Sequence, residues 1–168
     1  MVETDRLLII PLNQEHLELY LEAEGKLEKK FHLTESGRTF SPDVKKMVQK
    51  DILVKMKASS GDNFHYFTFW IVVHKATKLI VAELGFKGEP TEKGEIEIGY
   101  GTMPSERGKG FMTEALGGMV GWAKSRTGVY AILAETEETN LASIRIVQKN
   151  NFVLTEKKGV MLWWKILL

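Results

Sequence analysis

The sequence has no cysteine among its 168 residues. Disulfide bonds, thiolate ligands for zinc and cysteine nucleophiles are therefore excluded. Histidine is scarce as well, and its spacings are not those of metal ligands. The four histidines are His16, His32, His65 and His74. We therefore predict no metal site.

Long apolar runs are also absent. No stretch approaches the roughly 18 apolar residues that a membrane-spanning helix needs. The first ten residues, MVETDRLLII, are charged early, and their apolar run is too short for a signal peptide. We therefore expect a cytoplasmic protein without a membrane partner.

The sequence also has no excess of one charge, since 23 Lys and Arg residues are balanced by 22 Asp and Glu residues, giving a net charge of +1. Such a chain has no general attraction for nucleic acid, so none is expected as a partner. An anionic ligand would need a local binding device. With 43% hydrophobic and 27% charged residues, the composition is typical of a globular protein. We predict one domain over residues 1–168.

Apolar periodicity predicts the element order β-α-α-β-β-β-α-β-α-β-β, with seven strands and four helices. The predicted strands cover residues 6–12, 64–74, 79–88, 95–102, 129–136, 152–157 and 160–167. The predicted helices cover 13–24, 41–59, 108–126 and 140–151, and the stretch 25–40 is predicted to be irregular. The strand–helix–strand unit over 95–136 indicates a parallel strand pair within a mixed sheet.

The stretch MPSERGKGFMTEAL, residues 103–116, places two glycines and two cations directly before a helix. The first N–H groups of a helix have no intrahelical partner, and the helix dipole adds positive charge there. Gly108 and Gly110 remove side chains that would hold a ligand away, while Arg107 and Lys109 add positive charge. A phosphate or diphosphate fits such a site. The alternative is a tight turn with a solvated basic pair, because short glycine motifs are weak evidence.

Three glycines interrupt the apolar face of the helix that follows. Gly117, Gly118 and Gly121 each cost about 1 kcal/mol relative to alanine within a helix. That cost indicates a close approach of the helix backbone to the sheet or to a ligand. The alternative is that these glycines are merely tolerated.

These residues resemble the GNAT superfamily of N-acetyltransferases. Arg107 and Gly110 match the first two fixed positions of its signature Arg/Gln-x-x-Gly-x-Gly/Ala, and Met112 stands at the third. The stretches ETDRLLIIPLNQEHLELYL and GEIEIGYGTMP are similar to the RimJ/RimL branch of that family. The resemblance covers nearly the whole chain.

A second family signature, Asn-x-x-Ser before a helix that ends in Lys-x-Gly-Phe, resembles NLASIRIVQKNNF. Asn140, Ser143, Lys149 and Phe152 match it, and Asn151 replaces the usual glycine. Asparagine is the residue that adopts the left-handed conformation most readily after glycine, so we expect the helix to end there as in the family.

The resemblance implies an α/β GNAT fold with a mixed central sheet of about seven strands, flanked by about four helices. The fourth and fifth strands splay apart, and acetyl-CoA inserts between them as co-substrate. The implied activity is transfer of the acetyl group to a primary amine, either a protein N-terminus or a small molecule, by direct attack in a ternary complex. The residues expected to contact acetyl-CoA are Met103, Arg107, Gly108, Lys109, Gly110, Phe111, Met112, Thr113, Asn140 and Ser143.

Two residues are expected to carry catalysis. Glu97, which shares a strand face with Glu95, is the candidate base or water-positioning group. By register, Val147 stands where many relatives have the tyrosine that protonates the thiolate, and the resemblance to the RimJ/RimL branch implies Ser143 as the candidate acid. Amides near Met103 are expected to polarise the thioester carbonyl. The alternatives are that both acids are solvated strand residues and that Asn140 is only a helix cap.

The acceptor is not specified by the sequence, although residues 27–40 are expected to shape its pocket. The apolar strand WWKILL at the C-terminus is a candidate for pairing with a second copy. Two other classes stay open. One is a non-catalytic acyl-CoA-binding or regulatory module of the same fold, and the other is an unrelated nucleotide-binding protein.

Overall fold

The computed structural model describes residues 1–22, 25–35, 42–58 and 61–168. Its centre is an eight-stranded mixed sheet with the order β1-β2-β3-β4-β5-β6-β8-β7, in which β5 and β6 are parallel and the other neighbours antiparallel. The strands are β1 (Val2–Glu3), β2 (Leu7–Pro11), β3 (Phe69–His74), β4 (Leu79–Phe86), β5 (Glu95–Thr102), β6 (Ala131–Glu137), β7 (Val153–Lys158) and β8 (Met161–Leu167).

Helices cover both faces of this sheet. They are α1 (Gln14–Leu21), α2 (Lys26–Lys30), α3 (Pro42–Met47), α4 (Leu53–Ala58), α5 (Phe111–Lys124) and α6 (Leu141–Lys149). A π-helical turn, Val48–Ile52, joins α3 to α4, and 3₁₀ turns cover Gly61–Tyr66 and Pro104–Glu106. With α3, the π turn and α4 taken as one interrupted helix, the architecture is the α/β fold that the sequence predicts.

Alternation along the strands divides the core into two clusters, one on each face. Ile96 and Ile98 are buried on the face covered by α5 and α6, together with Trp70 and Trp122, whose ring centroids lie 5.2 Å apart. Ile71 is buried on the opposite face, in the cluster covered by α1, α2 and α4. The side chains of Glu95 and Glu97 project to that second face because they alternate with the buried isoleucines.

The parallel strands β5 and β6 separate along their length. Their pairing runs from Glu95↔Ala131 to Ile98↔Ala134 and then stops. Strand β5 nevertheless continues to Thr102, and β6 to Glu137. The predicted fourth and fifth strands, which are β5 and β6 here, are therefore splayed, as expected.

Local signals place several helix ends correctly. The Asn13 side chain accepts a hydrogen bond from the His16 amide at 2.9 Å and caps α1. Asn140 caps α6 in the same way by accepting from the Ser143 amide at 3.1 Å. Asn151 has φ of 63°, which confirms the left-handed conformation predicted after this helix.

Three predicted elements need correction. The two-residue β1 adds an eighth strand, and α2 lies inside the stretch 25–40 predicted to be irregular. The strand predicted from residue 64 begins only at Phe69, because Gly61–Tyr66 forms a 3₁₀ turn. Its aromatic residues pack as a cluster instead of extending, and the Trp70 indole donates to the His65 carbonyl at 3.1 Å.

The C-terminal strand does not have a free edge. Strand β8 lies between β6 and β7 and is paired on both sides. The hypothesis that WWKILL pairs with a second copy is therefore wrong. The exposed edge belongs to β7, which carries Glu156, Lys157 and Lys158, charges that disfavour edge pairing.

The three glycines of α5 have different environments. A Cβ at Gly118 would lie 2.9 Å from Thr4 Cγ2 and 3.2 Å from Ile9 Cδ1. A Cβ at Gly117 would lie 3.1 Å from Asn150 Oδ1, whereas one at Gly121 would meet no atom within 4 Å. The close approach to the sheet is thus confirmed for Gly118, and Gly121 is a tolerated glycine.

We expect opposite effects from alanine at these two positions. Gly121→Ala should raise the free energy of unfolding by up to about 1 kcal/mol, because alanine is the better helix former and space is available. Gly118→Ala should lower it, because the helix must move away from the β1–β2 hairpin. Chemical denaturation of both variants measures the difference. Equal effects of the two substitutions would contradict the assigned helix-to-sheet contact.

Candidate functional site

The loop between β5 and α5 is built to leave backbone amides exposed. Gly108 and Gly110 have φ of 78° and 80°, which are conformations that favour glycine. A Cβ at Gly108 would meet no protein atom within 4 Å, and one at Gly110 would meet only the Arg6 side chain at 3.6 Å. The backbone of this loop is therefore open to solvent at both glycines.

The first turn of α5 lacks a cap. Gly110 is the N-cap residue and provides no side-chain hydrogen bond. The amides of Phe111, Met112 and Thr113 have no acceptor among the residues that the structure describes, and the first helical bond runs from Glu114 N to Gly110 O at 3.2 Å. These three donors and the positive end of the helix dipole thus lie together at the start of α5, an arrangement that suits a phosphate.

The two predicted cations of this loop differ in their partners. The Lys109 ammonium lies 3.0 Å from the Glu106 carboxylate. The Arg107 side chain lines the cavity described below. Arg107 is therefore the better placed of the two to contact an anion that bridges the loop and the cavity.

A cavity of about 900 Å³ opens on the face of β4 and β5 opposite α5. One wall comes from the interrupted helix α3–α4, and the second from the segment before β3. The loop end is formed by Met103 and Arg107. The wall residues are Val44, Met47, Asp51, Ile52, Lys55, Tyr66, Phe67, Thr68 and Phe69. The volume suits a small-molecule or peptide-end substrate, and the wall includes part of the π-helical turn, a feature frequent at functional sites.

Part of the floor of this cavity is formed by glycines. Gly85 of β4 pairs with Gly99 of β5, and Glu83 pairs with Gly101. No atom lies within 4 Å of a Cβ placed on Gly99 or Gly101. Glu83 is therefore the side chain that this four-residue patch presents to the cavity, and its Oε2 accepts a hydrogen bond from the Tyr20 hydroxyl at 2.9 Å.

Glu97 lies on the same sheet face but is not among the cavity-lining residues. Its carboxylate forms an ion pair with Lys87, which also lies 3.7 Å from Glu135. The buried Oε1 of Glu97 makes no well-aligned hydrogen bond within the described part of the chain. Lys87 itself lines the cavity, so Glu97 reaches it through this lysine. Glu95 is separately held by Lys165 at 2.5 Å, a hydrogen bond that lowers its pKa.

The N-terminus of α6 lies across the splay from β5. The Tyr100 hydroxyl donates to the Ser143 carbonyl at 3.3 Å, and burial raises the pKa of this phenol despite that bond. Ser143 is partly buried in the first turn, and Asn140 caps it. Val147 is completely buried in the core. The structure thus places Ser143 beside the splayed part of β5, close to a second hydroxyl group, that of Tyr100.

Two sequence-based expectations concern the surroundings of this cavity. The Met103 amide donates to the Val81 carbonyl at 3.0 Å, so it is not available to polarise a thioester carbonyl. Of the segment 27–40, residues 36–40 lie outside the described residues, and none of residues 27–35 lines the cavity. Leu27 instead packs in the core.

Sequence reasoning missed three residues of this region: Glu83, Tyr100 and Arg6. Glu83 had a signal, since it is the one charge within the apolar strand LIVAELGF. Tyr100 and Arg6 had none, because their contacts are with residues far along the chain.

No group of three or more His, Asp or Glu side chains that would hold a metal ion occurs within the described ranges. Nor does any helix within those ranges combine the length and apolar character needed to cross a bilayer.

The sequence profile of the Acetyltransferase (GNAT) domain matches residues 6–153. An uncharacterized N-acetyltransferase of Bacillus subtilis, YjdG, is 39% identical over 115 residues, which is 68% of this chain and 66% of that protein. Two further curated N-acetyltransferases of Bacillus are matched over only 49% and 50% of their length. The chain thus spans between half and two thirds of these relatives.

Solved structures share the fold. RimL, a ribosomal L7/L12 α-N-protein acetyltransferase in complex with coenzyme A, is 16% identical with a TM-score of 0.66, over 98% of this chain and 96% of that one. Spermidine N-acetyltransferase from Vibrio cholerae, in complex with coenzyme A and spermine, is 14% identical with a TM-score of 0.64, over 98% and 96%.

Proposed function

Because the chain belongs to the GNAT acetyltransferase family, we propose that it transfers an acetyl group from acetyl-CoA to a primary amine within a ternary complex. The observation that carries this proposal is the uncapped start of α5 behind the Arg107–Gly110 loop, next to the point where β5 and β6 separate. We further place the chain in the RimJ/RimL-like branch, on the motifs ETDRLLII and GEIEIGYGTMP.

The loop residues fit the diphosphate of acetyl-CoA. The amides of Phe111, Met112 and Thr113 supply hydrogen bonds, and Arg107 supplies charge. Gly108 and Gly110 let the ligand approach the backbone. Asn140 and Ser143, at the opposite side of the splay, are proposed to contact the pantetheine arm. Once bound, acetyl-CoA supplies the activated acetyl group as a thioester.

The acceptor amine is proposed to occupy the cavity over β4 and β5. An alkyl amine with a pKa near ~10.4 is neutral in about one molecule in 2,500 at pH 7, a cost of roughly 4.6 kcal/mol, whereas an α-amino group near ~7.8 costs only about 1 kcal/mol. A carboxylate that attracts the ammonium and takes up its proton helps most with alkyl amines. Glu83 lies in the cavity and is placed to play this role directly. Glu97 is joined to the cavity by its ion pair with Lys87 and influences the amine only indirectly.

Attack by the neutral amine on the thioester carbonyl breaks the carbon–sulfur bond, and the departing thiolate takes up a proton. Ser143 remains the proposed donor. Tyr100 is a second candidate, because its hydroxyl already lies beside the Ser143 carbonyl. The related folds that act on a ribosomal protein N-terminus and on spermidine both use amine acceptors, which supports an amine here without selecting one.

The decisive experiment measures the release of free thiol from acetyl-CoA with a panel of peptides and small amines, beside thermal stabilisation by acetyl-CoA. Amine-dependent thiol release with an acetylated product is the expected result. Stabilisation without turnover would favour the non-catalytic acyl-CoA-binding module. Stabilisation by ATP and not by acetyl-CoA would favour the nucleotide-binding alternative.

A further inference from the structure

The short connection between β1 and β2 is attached to the first turn of α5 through one carboxylate. Glu114 Oε1 accepts hydrogen bonds from the Thr4 hydroxyl at 2.6 Å and the Arg6 amide at 2.8 Å, and Glu114 Oε2 accepts from Arg6 Nε at 2.6 Å. Burial raises the pKa of the Glu114 carboxyl, but these hydrogen bonds and the Arg6 charge outweigh it, so the net pKa is lowered. Glu114 is therefore an ionised anchor.

The Arg6 side chain extends beyond this anchor to the glycine loop between β5 and α5. Its Nη1 donates to the Lys109 carbonyl at 3.2 Å, and its guanidinium carbon lies 4.9 Å from the centroid of the Phe111 ring. Its Nη2 is the nearest atom to a Cβ position on Gly110. Arg6 thus lies along the loop at residues 109–111, on the side of the Lys109 carbonyl.

The peptide that joins Lys109 to Gly110 lies between this contact and the uncapped first turn of α5. In a trans planar peptide the carbonyl and the N–H point in opposite directions. A carbonyl held toward Arg6 therefore directs the Gly110 N–H away from Arg6. Glycine on both sides of Lys109 gives this peptide unusual rotational freedom, so the orientation depends on an external contact.

We infer that Arg6, held by Glu114 and Thr4, is a positioning residue that presets the Lys109–Gly110 peptide for binding the diphosphate of acetyl-CoA. The inference rests on the proposed function. It assigns to the N-terminal TDRL stretch a role in cofactor affinity, exerted through the orientation of the loop.

If the Arg6–Glu114 pair only stabilised the fold, its removal would change the free energy of unfolding and leave the affinity for acetyl-CoA unchanged. The Arg6 and Glu114 side chains are 46% and 19% exposed, and ion pairs so close to solvent contribute little to stability. Simple electrostatics predicts the opposite effect of Glu114→Gln on affinity, because removing a negative charge beside an anion site would strengthen anion binding. Positioning predicts that neutralising either partner weakens it.

The test compares Arg6→Gln, Arg6→Lys and Glu114→Gln with the control Lys75→Gln. Lys75 binds Glu3 and the Thr4 carbonyl of the same hairpin without a contact to the loop, so its substitution removes the same charge. Calorimetry gives the Kd for acetyl-CoA, steady-state kinetics gives KM and kcat, and hydrogen exchange of the free protein reports on the amides of residues 108–112.

We expect Arg6→Gln and Glu114→Gln each to raise the Kd about tenfold, with kcat nearly unchanged and faster exchange of the loop amides. Arg6→Lys should recover only part of the affinity, since an ammonium cannot make the forked contact. Lys75→Gln should bind like the wild type. Affinities of the Arg6 variants equal to the control, or tighter binding by Glu114→Gln, would overturn the inference. Failure of the wild type to bind acetyl-CoA would instead refute the proposed function.

Discussion

Gly110→Val is expected to weaken acetyl-CoA binding by about 100-fold or more, since the valine side chain occupies the space through which the diphosphate reaches the amides of α5. The protein itself offers room for the Cβ, whose nearest neighbour is the Arg6 side chain at 3.6 Å. The surroundings thus tolerate a Cβ here, and the expected loss is attributed to the blocked path of the ligand. Titration calorimetry with acetyl-CoA measures the loss.

Valine at φ of 80° also strains the backbone, so the affinity must be separated from stability. Gly128 provides a matched control, because its φ is also 80° and no atom lies within 4 Å of its Cβ position. It lies beyond the other end of α5, after Lys124. We expect Gly128→Val to lose comparable stability and to retain acetyl-CoA affinity. Equal affinities of the two variants for acetyl-CoA would show that the loop is not part of the binding site.

Glu83→Gln is expected to lower kcat/KM for the amine about 100-fold at neutral pH, while the Kd for acetyl-CoA stays within a factor of two. The glutamine is nearly isosteric and keeps a contact to Tyr20, but it neither attracts an ammonium nor takes up its proton. The loss should shrink as the pH approaches the pKa of the amine, since the base is then needed less. A pH–rate profile with a single amine measures this.

Glu97→Gln should reduce turnover by a smaller factor, about tenfold, because Glu97 is joined to the cavity only through Lys87. Glu95→Gln is the control, since Glu95 shares the strand and the sheet face but is bound to Lys165. If Glu97→Gln lost turnover while Glu83→Gln kept the wild-type rate, Glu97 and not Glu83 would be the base. Equal losses in all three variants would indicate a general effect of charge on this face.

What the sequence determined by itself is local. The caps at Asn13 and Asn140 and the left-handed turn at Asn151 depend on residues within three or four positions, so their signals are contained in a short stretch. The glycine loop before α5 is of the same kind, and with the family resemblance it predicts the proposed cofactor site. The splayed strands, which the resemblance also implied, are confirmed.

The tertiary structure decided whatever depends on which distant segments meet. The apolar composition of WWKILL suggested pairing with a second copy, yet the strand order inserts β8 between β6 and β7. Glu83 is exposed to the cavity floor because its strand neighbours on β5 are glycines. Arg6 and Glu114 are 108 residues apart, and only the packing of α5 against the β1–β2 hairpin brings them together. Periodicity within a segment contains no information on its neighbours in the sheet, and for that reason these contacts required the folded chain.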